Sequence, residues 1–239
     1  DLTIIIATNL KYINKIIVNQ INIYASNDIK IIISLPPNVD IENISKLGFS
    51  EKILVINSPL LGQVNQRQFA YKYCETKYII QMDDDIDFDI NKINILFSDF
   101  KKLPAKSCLA PYLESNSNRT PFNVLKTILK NIFLYFNLDP KPGSIAISSF
   151  PVPYLKIRIP EEVLFKEVSW IPGGILILRK TDIIRENYFP FKGKAYCEDL
   201  IHSFKLKRMG VKLYISNKLS FKTSVESYRN LNLDNFLLF

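Results

Sequence analysis

A run of acidic residues follows an apolar stretch in the first half of the chain and could hold a metal ion. Asp83, Asp84 and Asp85 come directly after Tyr78–Met82. Several carboxylates at one point resist desolvation unless a cation or a hydrogen-bond network compensates their charge. Hard oxygen ligands suit Mg²⁺ or Mn²⁺, which usually keep open positions for substrate phosphates. The alternative is an Asp-rich turn whose carboxylates cap the next helix.

A second acidic pair, Glu198-Asp199, opens a segment with helical spacing. One of these carboxylates could act as a general base that removes a proton from an attacking hydroxyl. Alternatively, both are acids in the first turn of a helix, where negative charge suits the helix dipole. We expect Leu200, Ile201 and Phe204 to share the face that anchors this helix to the core.

Composition favours a globular protein with anionic partners. The 239 residues allow one large domain or two small ones, with 47% hydrophobic residues and a net charge of +8. The charge suits nucleotide phosphates or an anionic membrane face, and the even spread of basic residues disfavours nucleic acid as a partner. Three widely spaced cysteines match neither a zinc site nor a disulfide framework, which indicates a reducing compartment.

The chain has a single histidine, His202, so it lacks the residues for a multi-histidine metal site or a usual Ser–His relay. We expect this histidine to be exposed rather than a ligand. The sequence has no visible signal peptide and no charge-free apolar stretch of the ~20 residues that a membrane span needs. A cytoplasmic location follows as an expectation.

Isoleucine-rich runs alternate with helical spacing in the first third of the chain, which predicts a parallel sheet covered on both faces. The predicted strands are Thr3–Thr8, Lys30–Leu35, Lys52–Ile56 and Tyr78–Met82. The predicted helices occupy 13–24 and Gly62–Cys74, the latter with Phe69, Ala70 and Tyr73 on its buried side. In open sheets of this Rossmann-like kind, ligands bind at the carboxyl ends of the strands, where the aspartates lie.

The second half is less regular, and no linker or repeat divides it from the first. Predicted strands are Lys106–Tyr112, Ser144–Phe150, Trp170–Arg179 and a half-exposed strand over 211–216. A predicted helix over Asp199–Met209 ends at Gly210. We therefore predict one mixed α/β domain over 1–239.

Four segments, in this order, together resemble the inverting nucleotide-sugar glycosyltransferases of family 2, which have the GT-A fold. They are Thr3–Asn9, Gln66-Arg67 with Tyr78–Asp85, Trp170–Arg179, and Ala195–Asp199 with the helix that follows. The second resembles the family's D-x-D strand end and the last its E-D motif. The resemblance implies a mainly parallel central sheet, with residues 1–100 as the nucleotide-sugar-binding half and residues 101–239 as the acceptor-binding half.

The resemblance also implies roles for the two acidic groups. Asp85 and Asp83 would bind Mn²⁺ or Mg²⁺, and Asp199 would be the general base, with Glu198 beside it. The donor would be a nucleotide sugar, most simply a UDP-sugar, and the acceptor a glycan or a lipid-linked saccharide. Such an enzyme would build a bacterial surface polysaccharide.

Further residues are expected at the donor: Thr8, Asn9, Arg67, Asp83, Asp84, Gly173 and Gly174. The arginine could orient Asp83 or a phosphate, or it could be a surface helix residue. The glycine pair could allow a ligand close to the backbone, or it could form a bulge within its strand. Thr8 and Asn9 could touch the nucleotide, or they could form a simple turn.

The chain departs from the family pattern at two places. Leu219–Ser224 lacks the late histidine that many members use as a metal ligand, although Lys222 could add positive charge near the diphosphate. The strand Lys30–Leu35 does not lead directly to the usual acidic nucleotide-contacting residue.

Pro121–Leu138 has an apolar helical face that could lie on a membrane surface near a lipid-linked acceptor, at the inner face of the plasma membrane. The same face could instead pack on the sheet.

Two other functions remain open. A sugar-phosphate nucleotidyltransferase of the same fold would need a glycine-rich turn after the first strand, and Thr8–Lys11 has none. A non-catalytic scaffold that keeps the fold would be consistent with the missing histidine.

Overall fold

The computed structural model describes residues 1–9, 15–26, 29–40, 48–114, 141, 143–146, 148–149, 151–152, 164–189 and 197–223. Within these ranges the strands are β1 (Leu2–Ala7), β2 (Lys30–Leu35), β3 (Ile53–Asn57), β4 (Tyr78–Asp83), β5 (Ser107–Glu114), β6 (Phe165–Val168), β7 (Ile175–Arg179) and β8 (Lys212–Lys222). The helices are α1 (Lys15–Ser26), α2 (Gln63–Tyr71), α3 (Ile90–Lys101) and α4 (Glu198–Arg208), with a short 3₁₀ helix at Lys180–Asp182.

All eight described strands form one sheet in the order β3-β2-β1-β4-β7-β5-β8-β6. The first four strands pair in parallel, as the sequence predicts. β7 runs antiparallel to β4 and β5, β8 is parallel to β5, and β6 is an antiparallel edge strand. One mainly parallel sheet therefore continues through both halves of the chain.

The central strands are apolar at nearly every position because helices cover both faces of the sheet. All six residues of β1 are buried, and so are five of the six residues of β2. The buried side chains form one apolar cluster on each face. This rigid centre ends at the carboxyl edge of β1 and β4, where the polar residues of interest begin.

Helix α3 begins at Asp89, whose carboxylate accepts hydrogen bonds from the backbone N–H groups of Asn91 and Lys92 at 2.9 and 3.4 Å. This is the N-cap arrangement that satisfies otherwise unpaired N–H groups. The capping interpretation of the acidic stretch is therefore right for Asp89, whereas Asp83, Asp84 and Asp85 have other hydrogen-bond partners.

Several predicted strand boundaries are wrong. The strand predicted from Trp170 begins at Ile175, so Gly173 and Gly174 lie in a bend before β7 and not inside it. Within the described part of the segment predicted as Ser144–Phe150, we find an isolated bridge between Ile145 and Pro151 and a turn, not a strand. The four-residue β6 was not predicted, because so short an edge strand shows little alternation.

Two helix faces also differ from prediction. Helix α2 ends at Tyr71, and Tyr73 beyond it is 45% exposed. On α4 the predicted anchor Phe204 is 61% exposed, and Leu200 is only half-buried. The face of α4 that meets the core instead carries four buried residues: Glu198, His202, Ser203 and Leu206. Polar partners inside the protein, which hydrophobic spacing does not reveal, decide this orientation.

The apolar helical face predicted at 121–138 lies outside the described residues. Among the residues that the structure does describe, no helix is long and apolar enough to cross a membrane.

Candidate functional site

The acidic run begins at the carboxyl end of β4, between β1 and β7. Asp83 is the last residue of β4 and pairs in register with Ala7 at the end of β1. Its backbone N–H donates to the carbonyl oxygen of Gly174 at 2.8 Å, which fixes the bend before β7 against the strand end. The turn that follows therefore starts from a rigid position.

Asp83 is held by two donors from helix α2. Its Oδ1 accepts from Gln63 Nε2 at 2.7 Å and from Arg67 Nη2 at 2.6 Å. Burial raises the pKa of Asp83 to about 7, and the charges of Asp85 and Glu198 add to this, against the opposing effect of Arg67. The strand end thus concentrates negative charge that one arginine only partly offsets.

Asp84 and Asp85 each accept a hydrogen bond from a threonine hydroxyl, and the two threonines follow different strands. Thr8, directly after β1, donates to Asp84. Burial raises the pKa of Asp84, with a further contribution from Asp85, and the bond from Thr8 opposes the rise. Thr223, directly after β8, donates to Asp85 Oδ2 at 3.1 Å. Three carboxylates are therefore oriented by three separate elements.

Arg67 is buried, with 2% of its side chain exposed, and links the two acidic groups. Besides Asp83, it contacts Glu198 Oε1 through Nη1 at 3.1 Å, across 131 residues of sequence. Its Nη2 also lies 3.5 Å from the carbonyl oxygen of Gly173. Burial alone would lower the pKa of Arg67, but the two carboxylates outweigh it and keep the guanidinium charged. The surface-arginine alternative is excluded.

Glu198 is buried and also accepts a hydrogen bond from the hydroxyl of Tyr188. Burial opposes its charge, but Arg67 and the Tyr188 hydroxyl together place the pKa of Glu198 below its ordinary value. The ring of Tyr188 stacks on His202 at 5.2 Å between centroids. His202 is 2% exposed, so the expectation of an exposed histidine is wrong, and burial lowers its pKa to about 4. At neutral pH it is an uncharged packing partner.

Asp199 differs from its neighbour. It is half-buried, and its Oδ1 accepts the backbone N–H of Leu200 at 3.0 Å. No side chain among the described residues donates a hydrogen bond to it. Burial raises the pKa of Asp199 to about 6, and the charge of Glu198 adds to the effect. A carboxylate with that pKa is able to accept a proton near neutral pH.

The glycine pair lies between the two acidic groups. A Cβ at Gly173 would lie 3.2 Å from Glu198 Oε2 and 3.6 Å from Asp199 Cβ. A Cβ at Gly174 would lie 3.8 Å from Asp83 Oδ2, with the side chains of Leu113 and Ile86 still closer. Consecutive residues of one bend therefore face the two groups in turn, and a side chain at either position would require its neighbours to shift.

The carboxylate oxygens at this edge could supply some, but not all, of the ligands that a metal ion needs. Within the described ranges, no group of three or more His, Cys, Asp or Glu side chains is arranged to hold a metal ion. Mg²⁺ and related ions often use one or two carboxylates and complete their coordination with substrate phosphates and water. Asp83 and Asp85 can supply carboxylate oxygens of that kind. The residues therefore fit an ion shared with a phosphate ligand.

Most of the predicted site residues meet at this edge of the sheet. Thr8, Arg67, Asp83, Asp84, Asp85, Gly173, Gly174, Glu198 and Asp199 are linked by the contacts above. Asn9 is exposed beyond β1, and Lys222 is exposed at the end of β8.

Sequence reasoning missed three supporting residues, Gln63, Tyr188 and Thr223. Thr223 falls in the segment where the late histidine is absent, so its position along the chain was a usable signal. Tyr188 lies in a loop without periodicity, and no pattern in the sequence marks it.

Comparisons with known proteins agree with this architecture. No protein-family model matches the chain. Over 70 residues, 28% of this chain and 26% of the relative, it is 33% identical to the rhamnosyltransferase WbbL of Escherichia coli (strain K12). The chain thus matches about a quarter of the length of this relative.

Solved structures that resemble nearly the whole chain include two with a nucleotide or nucleotide sugar and Mn²⁺ bound. GalNAc-T7, solved with UDP, GalNAc and Mn²⁺, matches with a TM-score of 0.60 and 12% identity, over 99% of this chain and 47% of that chain. The mannosyltransferase PcManGT from Pyrobaculum calidifontis, in complex with GDP-Man and Mn²⁺, matches with a TM-score of 0.55 and 11% identity, over 95% of this chain and 58% of that chain. At such identity the likeness shows the fold, which is the GT-A fold predicted from the sequence.

Proposed function

We propose that this chain transfers a sugar from a nucleotide-sugar donor to a glycan or lipid-linked acceptor, with inversion at the anomeric carbon. The observation that carries the proposal is the meeting of two carboxylate groups at Arg67, with Gly173 and Gly174 between them. The GT-A fold and the partial identity to a rhamnosyltransferase support it. So do the UDP and GDP-Man bound in two structures of the same fold.

In the proposed reaction, Asp199 accepts the proton of the acceptor hydroxyl as its oxygen attacks the anomeric carbon. The bond between that carbon and the diphosphate oxygen breaks, and its electron pair leaves with the nucleoside diphosphate. Attack from the face opposite to the leaving group inverts the configuration. The raised pKa of Asp199, about 6, allows the residue to take the proton at neutral pH.

Asp83, the last residue of β4, and Asp84 and Asp85 after it form the donor side of the proposed site. Asp85 and Asp83 would hold Mn²⁺ or Mg²⁺, which when bound would offset the charge of the departing diphosphate. Asp84 and Thr8 would shape the nucleotide side, and Asn9 lies at the same edge. We assign residues 1–100 to the donor and residues 101–239 to the acceptor. Bacterial surface polysaccharide synthesis at the inner face of the plasma membrane remains the proposed setting.

A thermal-shift screen with UDP, GDP and dTDP, each with and without Mn²⁺, tests the donor site. We expect one nucleotide to stabilise the protein more in the presence of Mn²⁺, since a ligand of the folded state raises stability with its concentration. Asp85→Ala should remove the metal-dependent part, whereas Glu75→Gln, a surface variant far from the site, should not. No shift with any nucleotide would contradict the proposal.

The chemistry is tested with the nucleotide sugar that matches the stabilising nucleotide. We expect release of a nucleoside diphosphate by the wild-type chain and its loss in Asp199→Asn. Release of pyrophosphate from a nucleoside triphosphate and a sugar phosphate would indicate a nucleotidyltransferase instead. Nucleotide binding without turnover of UDP-, GDP- or dTDP-sugars, with acceptor saccharides present, would indicate a scaffold.

A further inference from the structure

One buried guanidinium joins three parts of the site. Arg67 of α2 contacts Asp83 at the end of β4 and Glu198 at the start of α4. It also lies near the carbonyl oxygen of Gly173, in the bend before β7. That same carbonyl accepts from Gln81 Nε2 at 3.2 Å. The arginine therefore sits where the donor side and the acceptor side of the proposed site meet.

This geometry leaves Arg67 poorly suited to bind a phosphate directly. Its side chain is 2% exposed, and both Nη atoms already donate to carboxylates. Because so little of the side chain is exposed, a phosphate could reach the guanidinium only if the surrounding side chains moved. In addition, Nε is buried without a hydrogen-bond partner among the described residues. An unpaired buried donor lowers stability, so stability alone does not account for a charged group at this position.

The first turn of α4 depends on these contacts. Its N-cap residue, Cys197, adopts a left-handed conformation with φ of 58° and makes no side-chain capping bond. Glu198 follows at once, and the side chains that donate to it are Arg67 and Tyr188. The proposed base, Asp199, is the next residue. Its backbone position is therefore set by a neighbour that is anchored across the sheet edge.

We propose that Arg67 is a positioning residue, which holds the base-bearing turn of α4 in place relative to the aspartates after β4 and does not contact the donor. This inference rests on the proposed function, because that function defines the donor side and the acceptor side that the two ion pairs of Arg67 connect. Lysine cannot replace the arginine, because a single ammonium group lacks the planar fork that reaches two carboxylates at once.

The first test separates turnover from binding. In Arg67→Lys and Arg67→Gln we expect kcat for donor turnover to fall about 100-fold, since a small displacement of reacting groups has that effect. The Kd of the stabilising nucleotide, measured by calorimetry with Mn²⁺, should weaken by far less than kcat falls, because Arg67 reaches the donor side only through Asp83, which keeps its hydrogen bond from Gln63. Arg185→Lys, which changes an exposed arginine, serves as the matched control and should alter neither.

The second test uses a double-mutant cycle with Glu198→Gln. If Arg67 and Glu198 act as one unit, the double variant Arg67→Gln/Glu198→Gln should be no slower than the slower single variant. Multiplied effects on kcat would mean that the two residues act separately, and would overturn the proposal. A nucleotide Kd that weakens as much as kcat would likewise overturn it and would make Arg67 a donor ligand, with the proposed function intact.

A third measurement needs no donor. Hydrogen exchange followed by mass spectrometry should show faster exchange over 198–203 in Arg67→Gln than in wild type, with α3 unchanged. Equal exchange over 198–203 in both proteins would contradict the positioning role. If the wild-type chain binds no nucleotide and Arg67→Gln still exchanges faster over 198–203, the proposed function fails and the anchoring of α4 stands.

Discussion

The two acidic groups of the site are built differently, although both depend on Arg67. The three aspartates after β4 accept side-chain donors from α2 and from the ends of β1 and β8. In the pair that opens α4, Glu198 accepts hydrogen bonds from two side chains, whereas among the described residues Asp199 accepts only a backbone N–H from its own helix. The first group is oriented from several sides, as we expect of the proposed site for a nucleotide and its metal ion. The second separates an anchored carboxylate from one that can take a proton.

The largest effect on turnover is expected at Asp199, to which no side chain among the described residues donates a hydrogen bond. Asp199→Asn should lower turnover of the donor by about 10²–10⁴-fold, the usual contribution of a general base. The nucleotide Kd should stay unchanged, because the change does not touch the aspartates after β4. Steady-state kinetics and calorimetry measure the two quantities. A loss of nucleotide binding would erase the distinction between the two groups.

At Asp85 we expect the reverse: a substitution should weaken nucleotide binding directly. A nucleotide at one hundred times its Kd adds about 2.7 kcal/mol to the free energy of unfolding. Asp85→Ala should lose most of that gain when Mn²⁺ is present, as measured by thermal or chemical unfolding with and without ligand. If the variant kept the full gain, Asp85 would have no part in binding the nucleotide and its ion.

The pH dependence distinguishes the two residues of the helix pair. Asp199 must be deprotonated to act, so kcat at saturating donor and Mn²⁺, where a bound ion would keep Asp83 ionised, should fall as pH drops below about 6, by about tenfold per pH unit. Burial and the charge of Glu198 both raise the pKa of Asp199, whereas Arg67 lowers it. In Glu198→Gln one raising charge is gone, so the acidic limb should move to lower pH. An unmoved limb would show that the two carboxylates do not interact.

A smaller effect is expected at the bend between the groups. In Gly173→Ala the added methyl group would lie 3.2 Å from Glu198 Oε2, so the carboxylate must shift by a few tenths of an ångström. We expect a loss of about 1 kcal/mol in stability, typical of mild overpacking, and slower turnover. In Gly174→Ala the methyl group would press on Leu113 and Ile86 at 3.2 and 3.3 Å and only touch Asp83 Oδ2 at 3.8 Å, so it should lower stability without displacing Glu198. Identical kinetic changes in the two variants would argue against two separate sides.

The smallest effects concern the two threonines. Thr8→Val and Thr223→Val each remove a hydroxyl that donates to one aspartate, Asp84 or Asp85. A hydrogen bond to a charged group contributes about 1.5–3 kcal/mol, but these sites are partly open to water, so we expect about 1 kcal/mol or less. Nucleotide binding should weaken, more for Thr223→Val in the presence of Mn²⁺. An equal response with and without Mn²⁺ would separate Thr223 from the ion.

Residues with local signals were predicted well, and residues with distant partners were not. The strand Lys30–Leu35 was predicted with its observed bounds, because an unbroken apolar run of that length is typical of a buried parallel strand. His202 was wrongly expected to be exposed, because no local pattern reveals that Tyr188 stacks on it. Phe204 was wrongly expected in the core for the opposite reason, since Glu198 and Ser203 turn the other face of α4 inward.

The sequence by itself determined the alternation of strands and helices, and the position of the three aspartates at the end of a buried strand. These features can be read from short stretches of sequence, because the spacing of apolar residues and the residues that end a strand are local patterns. Only the tertiary structure decided that Asp83 and Glu198 share Arg67 and that no side chain among the described residues donates to Asp199. Contacts such as Arg67 with Glu198, and Thr223 with Asp85, 138 residues apart, depend on how the strand ends converge. That convergence is set by the packing of the whole sheet.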